Sequence, residues 1–255
     1  DVVYDITHEW EIKEQKVKAY KFNKEIFKSV LKKYPRKLLV IGQQHNLKVK
    51  TQAMVFANTF GFVLVSDSIA NVDGGIKNHD KFLKSAKKEH LVPDLLISTD
   101  MSLISKSLKL MLRNGEIKEH WHIQDNPTFI DPFRTLTKKV EMEPQHFLEQ
   151  VANGSSAKID TNFKERWQNL EQASNEAIKA YFKKPIFSEI HVLKRVLEQI
   201  PAKSIIHAGN SMSIRYINAL QSFIEPSVMI YCNRGTSGID GSLSTAVGQA
   251  LCTET

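Results

Sequence analysis

The chain has 255 residues, of which 42% are hydrophobic and 25% charged, and its formal net charge is +7. These values exclude a disordered or low-complexity chain, and the length suffices for one large domain or two small ones with buried cores. No apolar run reaches the roughly 18 residues of a membrane span, and the lysines are scattered, so solvated helix faces rather than nucleic-acid binding explain the positive charge best.

The first half of the chain alternates short apolar runs with segments of helical spacing. Strands are predicted at 37–42, 61–67, 93–99 and 119–124, and helices at 47–60, 81–88 and 103–112. The strands are apolar on both faces, which is typical of a parallel sheet covered by helices on both sides. We therefore predict a doubly wound α/β domain within residues 1–150.

A polar stretch interrupts this pattern and leads into a long helical segment at 163–183, so residues 151–184 are predicted to form a linker and connecting helix. The alternation then restarts as helix, strand KSIIHAG, helix SMSIRYINAL, strand SVMIYC and a last helix from about Ser242. Two strands are too few for a complete sheet. Residues 185–255 are therefore expected to be a truncated second α/β domain, and the chain to be part of a longer protein.

The stretch HAGNSMSIR is the first candidate site, because ligands of open α/β sheets bind where strands end and helices begin. The strand is predicted to end near Ala208, and Ser211 is placed to cap the following helix. Ser211 and Arg215 are four residues apart and so share a helix face. This pair suits a carboxylate or a phosphate, although an ordinary helix cap with a surface arginine gives the same pattern.

The stretch YCNRGTSGIDGSLSTAVGQA is the second candidate site. It places Arg234 in a loop with three glycines, Gly235, Gly238 and Gly241, which allow the backbone to approach a ligand closely. The pattern matches neither GxGxxG nor GxxxxGK[ST], so neither nucleotide motif applies. A glycine-rich loop beside an arginine is by itself a weak signal.

Together, GNSMSIRYINAL and YCNRGTSGIDGSLSTAVGQA strongly resemble the 2-succinyl-5-enolpyruvyl-6-hydroxy-3-cyclohexene-1-carboxylate synthase family. That family carries GNS followed four residues later by arginine, and then SNRGxSGIDGxxSTAxG; here Cys232 replaces the usual serine. The segment ISKSLKLML is similar to the family's less specific SK segment. The resemblance implies a Rossmann-like middle domain followed by the start of a diphosphate-binding domain.

The resemblance also implies a function for the intact protein. The family consists of carboligases of menaquinone biosynthesis that use thiamine diphosphate and Mg²⁺; they decarboxylate 2-oxoglutarate and add the succinyl semialdehyde unit to isochorismate. It implies substrate-binding roles for Ser211, Arg215, Arg234 and Lys106, and cofactor-binding roles for Ile239, Gly238 and Asn210. Catalytic residues and metal ligands are not expected in this chain, which alone is expected to be inactive and to bind no cofactor.

The remaining expectations concern the oligomeric state, the cellular compartment and alternative functions. The family implies a homo-oligomer, a dimer or a tetramer. Two cysteines without metal-ligand spacing favour a cytoplasmic protein. His120 and His122 share a strand face, but without a third ligand they do not predict a metal site. An alternative to the carboligase is a nucleotide-binding or ligand-binding α/β module without catalysis, and a basic nucleic-acid-binding domain is a third hypothesis.

Overall fold

The computed structural model of the chain describes residues 19–252, except 45, 101, 127–130, 152–157, 185, 236 and 237. The larger of its two sheets consists of β1 (Ala19–Tyr20), β2 (Lys37–Ile41), β3 (Val63–Ser66), β4 (Leu95–Thr99), β5 (Glu119–Gln124) and β6 (Lys138–Glu141). The six strands lie in the order β1-β6-β5-β4-β2-β3. All neighbouring pairs are parallel.

Helices cover both faces of this sheet, which confirms the predicted doubly wound α/β fold. They are α1 (Lys24–Lys33), α2 (Leu47–Phe60), α3 (His79–Phe82), α4 (Lys106–Asn114), α5 (Pro144–Val151) and α6 (Thr161–Tyr181). Side chains of α1, α2 and α5 pack with Leu39 and Ile41 of β2 on one face. Those of α3, α4 and α6 pack with Leu38 and Val40 on the other face, as alternation along a strand requires.

The six-stranded sheet and its covering helices form the first body of the structure. Several of its elements differ from the sequence-based expectation. The strand β6 has the sequence KKVE, whose polar character gives no strand signal, yet its Lys139 is buried and paired with Glu141. The helix predicted at 81–88 is confined to the four residues of α3, and a short 3-10 turn, Lys88–His90, follows. The elements β1, α1 and α5 also lie outside the predicted set.

The two-stranded sheet and its helices form the second body, which contains the elements predicted for the last third of the chain. They are α7 (Glu189–Leu197), β7 (Ile205–Ala208), α8 (Met212–Leu220), β8 (Met229–Cys232) and α9 (Ser242–Cys252). β7 and β8 form a parallel pair. Their apolar side chains pack with Ile69, which lies in a 3-10 turn at the end of β3, so the two bodies share one small core.

Polar side chains join the two bodies beside this core. The Asn71 side chain accepts a hydrogen bond from Ile230 N (2.8 Å) and donates to Ile230 O (3.0 Å), so it pairs with β8 as a strand would. Gln43 Nε2 donates to Cys232 O (2.9 Å). The carboxyl end of β8 is thereby fixed beside the carboxyl end of β2. Within the described part of the chain, no helix has the length and apolar character needed to cross a membrane.

Candidate functional site

Asn210 organises the corner between β7 and α8. Its side chain is buried, and its Nδ2 donates to Asn233 O and Gly238 O, each at 2.6 Å. Its Oδ1 accepts from Arg234 Nη1 (2.9 Å) and from Cys232 Sγ (3.3 Å). One amide side chain therefore fixes both ends of the described part of the glycine-rich loop. Its predicted role in cofactor binding stays a prediction, since these contacts occupy the amide within the protein.

Ser211 occupies the position before α8, as predicted, but the capping hydrogen bond suggested by the sequence is not formed. The reason is its backbone, which has φ 67° and ψ −127° instead of the extended conformation of a usual cap. A positive φ costs a non-glycine residue of the order of 1–3 kcal/mol, and such strain clusters at functional sites. Among the described residues the exposed Ser211 hydroxyl has no hydrogen-bond partner, so it is available to a ligand.

Arg234 lies between the two bodies. Besides Asn210, its guanidinium contacts Leu103 O at 3.4 Å, three residues before Lys106. Lys109 lies one turn further along α4. Burial lowers the pKa of Lys109, the positive charge of Arg234 lowers it further, and the carboxylate of Asp67 opposes this shift. Two cations that converge in a half-buried place favour an anion as ligand.

Lys106 and Arg215 are the other two predicted cations. Lys106 is the first residue of α4, whose amino terminus is capped by Ser105 Oγ accepting from Leu108 N at 3.1 Å. Arg215 lies in the second turn of α8, four residues after Ser211. Both are exposed, and neither side chain forms a hydrogen bond or ion pair with the residues that the structure describes. The joint action of these two cations with Arg234 on one ligand stays a prediction.

Ile239 and Gly238 belong to the same loop. Gly238 is exposed and its carbonyl accepts from Asn210. The Ile239 side chain is 72% exposed. Gly241 has φ 78°, a conformation that suits glycine, and it turns the chain into α9. The loop therefore presents an apolar side chain at a polar corner, as a contact with an apolar ring requires.

A cavity of about 580 Å³ lies at the carboxyl ends of β2 and β4, where the strand order reverses. A nucleotide-binding module would use this crevice. However, Gly42 N and Gln43 N donate to Thr99 O (3.0 Å) and Ser102 O (2.9 Å) rather than pointing free at a phosphate. The acidic side chains of Asp100, Asp125 and Glu143 line the cavity, and Arg234 lines it as well. The geometry gives no support to the nucleotide alternative.

The histidine pair is part of a buried polar network. His120 Nε2 and His122 Nδ1 lie 2.7 and 2.8 Å from Ser98 Oγ. Burial lowers the pKa of His122, and it lowers the pKa of His120 to about 3. Both rings are therefore neutral structural groups. Over the described ranges, no cluster of three or more histidine, cysteine or acidic side chains is arranged to hold a metal ion.

Sequence reasoning missed Asp67 and Asn218, two buried polar residues behind the site. Asp67 follows β3 and Asn218 lies in α8, and their side chains form a 3.1 Å hydrogen bond across 151 positions of the chain. The signal for Asp67 was its place after an apolar strand, where functional polar residues of parallel sheets collect. Asn218 gave no signal, because an asparagine in a helix is usually exposed.

Comparison with known proteins assigns the chain to a family. A family model described as "Middle domain of thiamine pyrophosphate", another name for thiamine diphosphate, matches residues 5–207. The match covers most of the chain and agrees with its doubly wound sheet. The chain therefore belongs to this family of middle domains.

Three similar curated proteins share the name 2-succinyl-5-enolpyruvyl-6-hydroxy-3-cyclohexene-1-carboxylate synthase. The chain is 34% identical over 226 residues to the protein of Cytophaga hutchinsonii, covering 86% of this chain and 39% of that protein. It is 32% identical over 226 residues to those of Phocaeicola vulgatus and Desulfotalea psychrophila, covering 86% of this chain and 39% and 40% of the relatives. The resemblance seen in two motifs is thus confirmed over most of the chain, which spans about two fifths of these relatives' length.

Proposed function

We propose that this chain forms the middle domain and the beginning of the diphosphate-binding domain, residues 185–255, of a thiamine-diphosphate-dependent carboligase. The intact protein would act as a 2-succinyl-5-enolpyruvyl-6-hydroxy-3-cyclohexene-1-carboxylate synthase, with 2-oxoglutarate and isochorismate as substrates. The similar curated proteins support this function, and so does the corner formed by Asn210, Ser211 and Arg234.

The proposal depends above all on one observation: hydrogen bonds within the protein hold the guanidinium of Arg234 in place. Its side chain is fixed by Asn210 and directed to the start of α4, where Lys106 begins the helix and Lys109 adds a third cation. Both proposed substrates carry carboxylates. Arginine suits such ligands because its planar guanidinium meets a carboxylate with two parallel hydrogen bonds. Ser211 and Arg215 would complete this set from α8.

The described residues fit a part of the cofactor's surroundings. The exposed Ile239 offers an apolar side chain of the kind that would pack against an apolar face of thiamine diphosphate, and Gly238 allows close approach. When bound, thiamine diphosphate supplies the carbon nucleophile for decarboxylation and carbon–carbon bond formation. The residues of this chain bind and orient the substrate carboxylates. Mg²⁺ belongs to the proposal for the intact enzyme, with ligands outside this chain.

Assembly into a homo-oligomer is also part of the proposal. On α9 the apolar side chains of Leu243, Val247 and Leu251 recur every four residues, continue the position of Ile239, and are 79%, 51% and 84% exposed. Such a stripe indicates a surface that further protein covers. The free thiols of Cys232 and Cys252 support a cytoplasmic setting.

A chimeric synthase tests the function. In it, this chain replaces the matching segment of the Phocaeicola vulgatus protein. The purified chimera is incubated with 2-oxoglutarate, isochorismate, thiamine diphosphate and Mg²⁺, and the product is followed by mass spectrometry. We expect turnover that Arg234→Ala reduces by about tenfold or more, the usual effect of losing a charged hydrogen bond worth 1.5–3 kcal/mol.

The matched control is Arg166→Ala, an exposed arginine of α6. It should leave the rate unchanged. A folded chimera without turnover would contradict the proposed function. Full turnover of Arg234→Ala would contradict the role of that residue. Stabilisation of the chain by NAD or FAD, and not by dicarboxylates, would favour the nucleotide alternative.

A further inference from the structure

Asp67 connects the elements that carry the proposed substrate-binding residues. Its carboxylate is 2% exposed. Oδ2 accepts from Ile104 N (2.5 Å) and Ser105 N (3.1 Å), the residues that lead into α4 and Lys106. Oδ1 accepts from Asn218 Nδ2 (3.1 Å) and lies 3.2 Å from His79 Nε2. Three hydrogen-bond donors and the nearby imidazole of His79 thus surround one carboxylate.

Asn218 carries the connection into α8. Its Oδ1 accepts from Ser68 N (2.8 Å) while its Nδ2 donates to Asp67, so the amide is held by two consecutive residues. Asn218 is 5% exposed and lies one helical turn after Arg215. Because the pair is buried and doubly bonded, the rotation of α8, and hence the direction of Ser211 and Arg215, is fixed relative to β3.

Arg234 is tied to the same place by its contact with Leu103 O, directly before the segment that Asp67 holds. The buried carboxylate of Asp67 is therefore bonded directly to the start of α4 and to the middle of α8. It is connected to the guanidinium of Arg234 through the segment that begins at Leu103. None of the substrate-binding roles proposed above includes Asp67.

We infer that Asp67, acting through Asn218 and the Ile104–Ser105 amides, is the positioning residue that sets the mutual geometry of Lys106, Arg215 and Arg234 for carboxylate binding. This inference rests on the proposed function. Asp67 itself does not contact substrate, since it lies beneath these elements. Its effect is exerted on the spacing and direction of the cations.

The charge state of Asp67 suits this role. Burial alone raises the pKa of the carboxyl, but the neighbouring His79 and the backbone amides of Ser105 and Ile104 lower it below its ordinary value. The carboxylate is thus ionised and accepts the three hydrogen bonds. An asparagine of the same shape would turn an amide donor toward the Asn218 donor or the α4 amides, which breaks the arrangement without changing the volume.

The test is the kinetics of Asp67→Asn in the chimeric synthase. Misplacement of binding groups by about 1 Å can cost up to a hundredfold in rate, so we expect KM for 2-oxoglutarate or isochorismate to rise about tenfold or more. Asn218→Ala, which removes only the α8 side, should raise the same KM less. It also serves as the test if Asp67→Asn fails to fold.

The double variant Asp67→Asn with Asn218→Asp restores the pairing, since the exchanged carboxylate accepts from Ser68 N and from the new amide. It should recover much of the lost affinity. Asp94→Asn is the matched control: this buried carboxylate binds Arg36 (2.8 Å) and Lys118 (2.9 Å) at the opposite end of β4. It should lower stability and leave KM unchanged.

The outcomes separate the two proposals. No turnover by the chimera, or an unaffected Arg234→Ala, removes the proposed function and this inference with it. An effect of Arg234→Ala together with an unchanged KM in Asp67→Asn and Asn218→Ala overturns the inference alone. Equal changes in KM for Asp67→Asn and Asp94→Asn would reduce Asp67 to a general contributor to stability and also overturn it.

Discussion

Replacement of Asn210 by alanine should release the glycine-rich loop. The substitution removes two donations to backbone carbonyls, the acceptor for Arg234 and a weak contact with Cys232. Each neutral bond contributes about 1 kcal/mol and the bond to the charged guanidinium about 1.5–3 kcal/mol. Gly238 O is at the surface and can bind water instead. We therefore expect a loss of about 3 kcal/mol in the free energy of unfolding of the second body.

Urea denaturation followed by circular dichroism measures this loss, and hydrogen exchange of the β8 amides localises it. Asn233→Ala is the control in the same loop, since that side chain makes an exposed bond to Thr245 Oγ1 (2.9 Å) and should cost less than about 1 kcal/mol. The reasoning is refuted if Asn210→Ala is as stable as the original chain, or if the two alanine variants lose equal stability.

Three further predictions concern strain and buried charge. Ser211→Gly should raise the melting temperature by relieving the positive φ, whereas Ser211→Ala should not, and thermal unfolding of both variants checks this. Burial raises the pKa of Asp100 to about 7, so the free energy of unfolding falls as pH rises from about 4 to 7. The stability advantage of Asp100→Asn should therefore grow through this window and stay constant above it; equal pH profiles would contradict this. Burial lowers the pKa of Lys37 to about 8, so the free energy of unfolding rises between about pH 8 and 10.5. Lys37→Met should therefore be more stable than the original chain by about 1–3 kcal/mol at neutral pH, and this difference should disappear as the pH rises to about 10.5. A difference that is absent, or that does not change with pH, would contradict this.

The sequence allowed prediction of β2, β3 and β4 because these strands are buried on both faces and therefore read as mostly apolar runs. Strand β6 could not be recognised, since the burial of Lys139 depends on its pairing with Glu141 and on neighbouring strands. The long helix α6 was expected to connect two domains, and its first half in fact packs on the sheet through Phe163 and Trp167.

The candidate site was likewise predictable from the sequence only in part. Arg234, Ser211, Arg215 and Lys106 were selected by motif resemblance, which points to positions expected to face a ligand. The buried residues behind them, Asp67 and Asn218, form a hydrogen bond across 151 positions of the chain. Such partners depend on how the two bodies pack, and no local pattern encodes them. The positive φ of Ser211 likewise follows from tertiary structure, because serine has no intrinsic preference for it.

The most direct test of carboxylate binding at this corner is calorimetric titration of 2-oxoglutarate into the chimeric synthase with arginine, lysine or alanine at position 234. We expect Arg234→Ala to weaken binding by about tenfold or more, the equivalent of at least 1.4 kcal/mol. Arg234→Lys should restore only part of the affinity, because an ammonium group lacks the planar fork. Unchanged affinity in Arg234→Ala would contradict carboxylate binding by Arg234 at this corner.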